Sequence, residues 1–169
     1  LGLRVTDSLK WQEHVLSICS KAAKRLHFLK LLKHASVSID DLLYYYQSVI
    51  RPVTEYACVV WHTSLTKGQT KHLETIQRRA IKIIFVNNPD DVANALYTLP
   101  SLSDRRDKLT RDFFNSLLDP ASCLHELIPA KRDNYVISRV RQAVLHPPLF
   151  ARTELFKKST VVYGLNNFQ

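Results

Sequence analysis

The chain has 169 residues and a mass of 19.5 kDa, which suits one domain, or one domain with an appendage, with a core that needs no disulfide staples. Hydrophobic residues at 46% and charged residues at 23% exclude wholesale disorder, while 24 Lys and Arg against 15 Asp and Glu leave a net charge of +9 that points to a polyanionic partner. Gly2, Gly68 and Gly164 are the only glycines and lie far apart, so a P-loop or a dinucleotide fingerprint is excluded.

Residues 1–5 alternate weakly and predict a short strand. Ser8 is placed to cap an amphipathic helix whose inward positions are Val15, Ile18, Ala22, Leu26, Leu29 and Leu32. Ala35-Ser36-Val37 ends it. Ser38 and Asp41 then form a capping box for a second helix carrying Leu42, Leu43, Tyr46, Val49, Ile50, Val53, Ala57 and Val60. Pro52 falls inside that helix and predicts a kink, because its ring removes a backbone donor. Residues 62–65 read as a turn. Thr66 and Gln69 make another capping box, and the third helix turns Leu73, Ile76, Ala80, Ile83 and Ile84 inward.

Asn88, with Pro89 at the first helical position, opens a short helix to about Tyr97, and Leu99-Pro100 ends it. Ser101 and Asp104 repeat the capping pattern before a helix with the stripe Leu102, Leu109, Phe113 and Leu117, stopped by Asp119-Pro120. Residues 121–169 predict turns, short helices and a strand pair near 135–137 and 160–163. The fold class is mainly α: a three-helix bundle followed by further helices and an irregular C-terminal segment with short strands. No run approaches the roughly 18 apolar residues of a bilayer span, so no membrane partner is expected. Without a methionine, the chain is expected to be a piece of a longer protein.

Charge is uneven. Residues 1–36, 67–86 and 120–169 are basic, and the stretches between them are acidic. On the third helix Lys67, Lys71, Arg78 and Lys82 share one side, with Arg79 adjacent and Glu74 four residues before Arg78 as a helix-stabilising partner. The first helix adds Lys21, Lys24, Arg25 and Lys33. Such stripes suit phosphate-backbone contact, where each cation releases counterions; a solvated face explains the same residues equally well. Asp40-Asp41 and Asp90-Asp91 resemble metal-holding carboxylate pairs, but each begins a helix, where acids stabilise the positive dipole end. Cys19, Cys58 and Cys123 form neither a disulfide framework nor, with the histidines, a zinc-finger spacing, which suits a reducing intracellular compartment, nuclear or cytoplasmic. Trp11, Trp61 and Tyr44-Tyr45-Tyr46 could stack on bases, but their place on amphipathic helices favours the core. No nucleophile motif occurs.

An ordered set of short motifs runs through most of the chain. It comprises Leu1-Gly2 with Trp11 and His14, Lys21-Ala22 with Arg25-Leu26 and Leu29, then Ile50-Arg51-Pro52-Val53, Glu55-Tyr56-Ala57 and Val60-Trp61-His62. Leu73-Glu74, Gln77-Arg78-Arg79-Ala80, Leu99-Pro100 with Leu102 and Arg105-Arg106 follow, and the set closes with Arg152-Thr153-Glu154, Phe156-Lys157-Lys158-Ser159 and Tyr163-Gly164-Leu165. In order and spacing this set resembles the C-terminal part of reverse transcriptases from non-LTR (LINE-type, jockey-like) retrotransposons.

The resemblance implies that residues 1–8 end the palm, 9–86 form a thumb-like three-helix bundle, 87–119 are post-thumb helices and 120–169 a linker or tail. It implies a fragment of an RNA-directed DNA polymerase whose catalytic carboxylates and Mg2+ belong to an upstream palm, with no catalytic residue, metal site or cofactor here. The implied partners are an RNA–DNA hybrid, or template RNA and primer DNA, and the upstream fingers and palm of the same polypeptide. The implied contacts are Gln77, Arg78, Arg79 and Lys82 with Lys71, then Lys21, Lys24 and Arg25. Arg51 is expected to pin its turn or pair with Glu55, and Arg105 and Arg106 to form ion pairs with Asp104 and Asp107. The competing reading is a helical protein-interaction module, a domesticated one included, with an incidental basic surface.

Overall fold

Helix α1 spans Gln12–His34 in a computed structural model that describes residues 2–86, 89–133, 135, 139 and 144–168. Val15, Ile18, Ala22, Leu26 and Leu29 are buried along it, as their spacing predicts. The helix starts later than a Ser8 cap would place it. Residues 6–9 instead form a turn, closed by the Leu9 N–H on the Thr6 carbonyl at 2.9 Å, and Trp11 takes the cap position. At the other end Ser36 adopts a left-handed φ of 60°. The Ser36 N–H then reaches the Lys33 carbonyl at 3.1 Å and the Val37 N–H the Leu32 carbonyl at 3.2 Å, satisfying the last turn as a glycine stop would.

The second helix is segmented. Helix α2, Ile39–Tyr45, passes into a π-helical stretch, Tyr46–Ile50, and then α3, Arg51–Glu55. The kink predicted at Pro52 takes this form: a wider turn just ahead of the proline accommodates its ring and its missing N–H. Leu42, Tyr46, Ile50, Thr54 and Cys58, every fourth residue, are buried. Ser38 caps α2 by accepting the Asp41 N–H at 3.2 Å, but its hydroxyl donates to the Asp41 carboxylate, so only half of the predicted box forms. Ala57, with φ at 49°, separates α3 from the short helix α4, Cys58–Trp61, and a 3-10 turn follows at His62–Ser64.

Helix α5, Lys67–Ile84, opens on the complete capping box of Thr66 and Gln69. It buries Leu73, Ile76, Ala80, Ile81 and Ile84, together with Gln69 and Gln77. Two further helices are α6, Pro89–Thr98, and α7, Leu102–Leu117; the Asn88 cap lies outside the described residues.

The chain forms two compact units. The first comprises Leu1–Cys58 and Leu65–Arg106. Its core joins Ala22, Leu26 and Leu29 of α1 to Leu42, Tyr46 and Ile50 and to Ile76, Ala80 and Ile84 of α5, which is the expected three-helix bundle. Each large side chain so buried contributes about 1.5–3 kcal/mol.

The second unit comprises Val59–Ser64 and Asp107–Gln169, with Phe114, Leu117, Ile128 and Leu165 at its core. It contains a 3-10 turn, His125–Leu127, and helices α8, Glu154–Lys157, and α9, Thr160–Asn167. The strand predicted at 160–163 is therefore helical. Its β-branched residues invite an extended reading, but Val162 and Leu165, three apart, pack inward, and the Thr160 hydroxyl donates to the Val59 carbonyl. Gly164 lies so close to the Phe114 ring that a methyl group there would collide with it. Of the partner stretch at 135–137 only Tyr135 is described. No strand occurs among the described residues, including residues 2–5. On α7 the buried positions are Leu102, Arg106, Thr110, Phe114 and Leu117; the predicted Leu109 is exposed and Phe113 half-buried. Among the described residues no helix is long and apolar enough to cross a membrane.

Candidate nucleic-acid interface

At 3.6 residues per turn, Lys67, Lys71, Arg78 and Lys82 fall within an arc of roughly 60° on α5, opposite its buried face, and Arg79 lies about as far again round the helix. All of these side chains are exposed. Lys67, Lys71 and Arg78 line a shallow depression of about 380 Å³ together with Leu65, Thr70 and Glu74.

Glu74 sits inside this stripe but does not pair with Arg78. Its carboxylate accepts the N–H of Leu102 at 3.2 Å and of Ser103 at 2.7 Å, and faces the Arg106 guanidinium at 3.8 Å. Ser101 supplies the rest of the cap, its hydroxyl accepting the Asp104 N–H at 3.0 Å and its carbonyl the Arg105 N–H at 3.1 Å. The first donors of α7 are thereby satisfied, and the only acid within the stripe spends its charge there. Among the described residues no acidic side chain pairs with Lys71, Arg78, Arg79 or Lys82.

Gln77 does not belong to this surface. It is buried, its amide oxygen accepts the Tyr46 hydroxyl at 2.9 Å, and its amide nitrogen donates to the Pro100 carbonyl at 3.1 Å. An amide engaged inside the protein at both ends is a packing tie, and burial pushes the Tyr46 phenol well above its usual range. Its place four residues after Leu73 and seven before Ile84 was the signal for the inward face.

On α1, Lys21 and Lys24 are exposed, whereas Arg25 is half-buried and donates to the Val49 carbonyl, tying two helices. Arg25 is thus partly structural. Lys21 and Arg25 border a cleft of about 300 Å³ with His14, Pro52, Val53 and Tyr56; Lys21 also borders a second depression, of about 440 Å³, with Arg4, Lys24 and Glu13. His14 is buried against Trp11, whose ring lies edge-on at 5.8 Å, and its Nδ1 accepts the Arg4 N–H at 3.3 Å. Burial first, then the nearby charges of Lys21 and Arg4, hold the imidazole below its usual range and neutral. Trp11, Tyr46 and Trp61 are core residues, while Tyr44 and Tyr56 are exposed.

Arg105 and Arg106 form ion pairs, but with partners distant in sequence. Arg105 grips Glu55 with two bonds, at 2.5 and 3.1 Å, and Arg51 approaches the same carboxylate at 3.8 Å. Arg106 is fully buried and faces Glu74 rather than Asp104 or Asp107. The carboxylate pairs at 40–41 and 90–91 occupy the first turns of α2 and α6.

No protein-family model, no curated protein and no solved structure matches this chain.

Proposed function

We propose that the chain grips the sugar–phosphate backbone of a template–primer duplex, an RNA–DNA hybrid, without reading its bases. In this reading it is the thumb and post-thumb region of a retroelement reverse transcriptase of the non-LTR, LINE type. It works inside the cell, beside the fingers and palm of the same polypeptide, and the Mg2+-dependent polymerase chemistry belongs to that palm.

The observation that carries the reading is the α5 stripe, with Lys71, Arg78 and Lys82 exposed while the Glu74 carboxylate, which lines the same depression, is held by the first N–H groups of α7. A free carboxylate among those cations would offset part of their attraction for phosphate; held by the α7 N–H groups and facing Arg106, Glu74 offsets less of it. Lys67 and Lys71, and likewise Arg78 and Lys82, are four residues apart and rise about 6 Å along the helix, a spacing that lets each pair meet neighbouring phosphates of one strand. Contacts of this kind are indifferent to sequence, which suits an enzyme that must translocate along any template.

Titration of the chain with RNA–DNA hybrids of unrelated sequence, at rising salt, tests the reading. Equal affinities that fall steeply with salt are expected. Absence of binding at low salt overturns it and favours a protein-interaction module, a reading to which the exposed Leu16, Phe28 and Leu31 of α1 lend their apolar surface.

A further inference from the structure

We propose that the cleft between α1 and α3 binds a single nucleotide of a single strand, its phosphate on Lys21 and its ring against Tyr56. The choice of a nucleotide rests on the nucleic-acid reading above; the site itself rests on the cleft.

The volume of about 300 Å³ lies at the small end of ligand pockets, with room for one nucleotide and none for a duplex. Its walls are mainly apolar, from Ile18, Pro52 and Val53. Lys21 and Arg25 supply the charge, and no carboxylate lines it. The two cations differ in kind. Arg25 is anchored through the Val49 carbonyl, so part of its fork is fixed in place before any ligand arrives, whereas the exposed Lys21 is a mobile point charge. His14 is neutral and adds no charge; its bond from the Arg4 N–H holds the N-terminal segment along α1.

Tyr56 is 56% exposed and stands where α3 ends at Glu55. Gly2, with φ at 77°, lies close to it: a Cβ there would be 3.3 Å from the ring. The glycine thus lets the chain approach one part of the aromatic ring closely while more than half of the residue's surface is exposed. An exposed ring beside two cations over an apolar floor matches the two halves of a nucleotide, since stacking needs the ring and the phosphate needs the charge. Inorganic phosphate leaves the ring unused, and an uncharged nucleoside leaves the cations unused. Lys21 also borders the depression formed with Arg4, Lys24 and Glu13, where three cations against one carboxylate suit the next phosphate of the same strand.

The test is a titration of the full chain, followed by NMR, with adenosine monophosphate, adenosine, inorganic phosphate and tetra-adenylate. Adenosine monophosphate is expected to shift the Ile18 and Val53 methyl and Tyr56 ring signals, with adenosine and phosphate each about tenfold weaker and tetra-adenylate tighter. Lys21→Ala and Tyr56→Ala should each weaken the mononucleotide about tenfold, while Tyr56→Phe, which keeps the ring, should not. Lys21 is exposed, so its variant keeps the fold. Absence of shifts at about 10 mM nucleotide, shifts confined to other residues, or affinities indifferent to Lys21→Ala and Tyr56→Ala would overturn the site. A tetranucleotide no tighter than the mononucleotide would make it a free-nucleotide pocket and overturn the strand assignment. Replacing Arg78 and Arg79 by Ala should weaken hybrid duplex binding and leave the mononucleotide untouched, so failure of the α5 reading and failure of the cleft are separable.

Discussion

Two adjacent arginine pairs, Arg78-Arg79 on α5 and Arg105-Arg106 on α7, look alike in sequence and have opposite fates. The first pair is exposed and meets no acid among the described residues. The second is held by Glu55 and Glu74, with Arg106 fully buried. The difference lies less in the arginines than in where the carboxylates of other helices come to rest. One acid, Glu74, sits in the stripe of the first pair and serves the second, so it separates a structural cluster from a surface left positive.

That separation is open to attack, most forcefully at Glu74 itself. Glu74→Ala should cost about 3–5 kcal/mol in urea unfolding, because it strips the cap from α7 and removes the carboxylate facing a buried guanidinium. A loss below about 1 kcal/mol would erase the contrast between the pairs. Arg105→Ala should cost about 1–2 kcal/mol by breaking the two-bond grip on Glu55, measured the same way.

Acid sharpens the comparison between basic groups held neutral and those always charged. The folded pKa of His14 lies below its unfolded value of 6.5, so the unfolded chain binds the proton more readily. The His14 contribution is therefore complete above pH 6.5 and lost as pH falls through the lowered folded value. The urea midpoint should drop between about pH 7.5 and 5.5 by more in the native chain than in His14→Gln, and an equal drop would contradict the neutral assignment. The smallest expected effect is on stability at the exposed pair: Arg78→Ala and Arg79→Ala should each change unfolding by less than about 0.5 kcal/mol.

The three-helix bundle was legible in the spacing of Val15 to Leu29 and of Leu73 to Ile84, and the Thr66–Gln69 box in its local pattern, because those signals reside within a few residues of one another. What escaped depends on partners far along the chain. Gln77 falls on the inward face by its spacing from Leu73 and Ile84, but the tie it makes there is set by Tyr46 and Pro100, far along the chain. Glu74 reads as the helical partner of Arg78 until the start of α7 claims it. Arg106 and Thr110 occupy buried positions that a search for apolar residues passes over, so the α7 stripe was placed wrongly at Leu109 and Phe113. The β-branched run at 160–162 carried a strand preference that packing against Phe114 overrides. At the candidate site, exposure of Lys71, Arg78, Arg79 and Lys82 followed from helix phase, but the tie of Arg25 to Val49 did not.

The most direct measurement compares salt dependence of hybrid binding in the native chain, in Arg78→Ala/Arg79→Ala and in Arg105→Ala. A logarithmic slope of about −4 in the native chain, reduced by about 2 in the double variant and unchanged in Arg105→Ala, is the predicted result. Equal slopes in all three proteins would contradict the assignment of phosphate contact to α5.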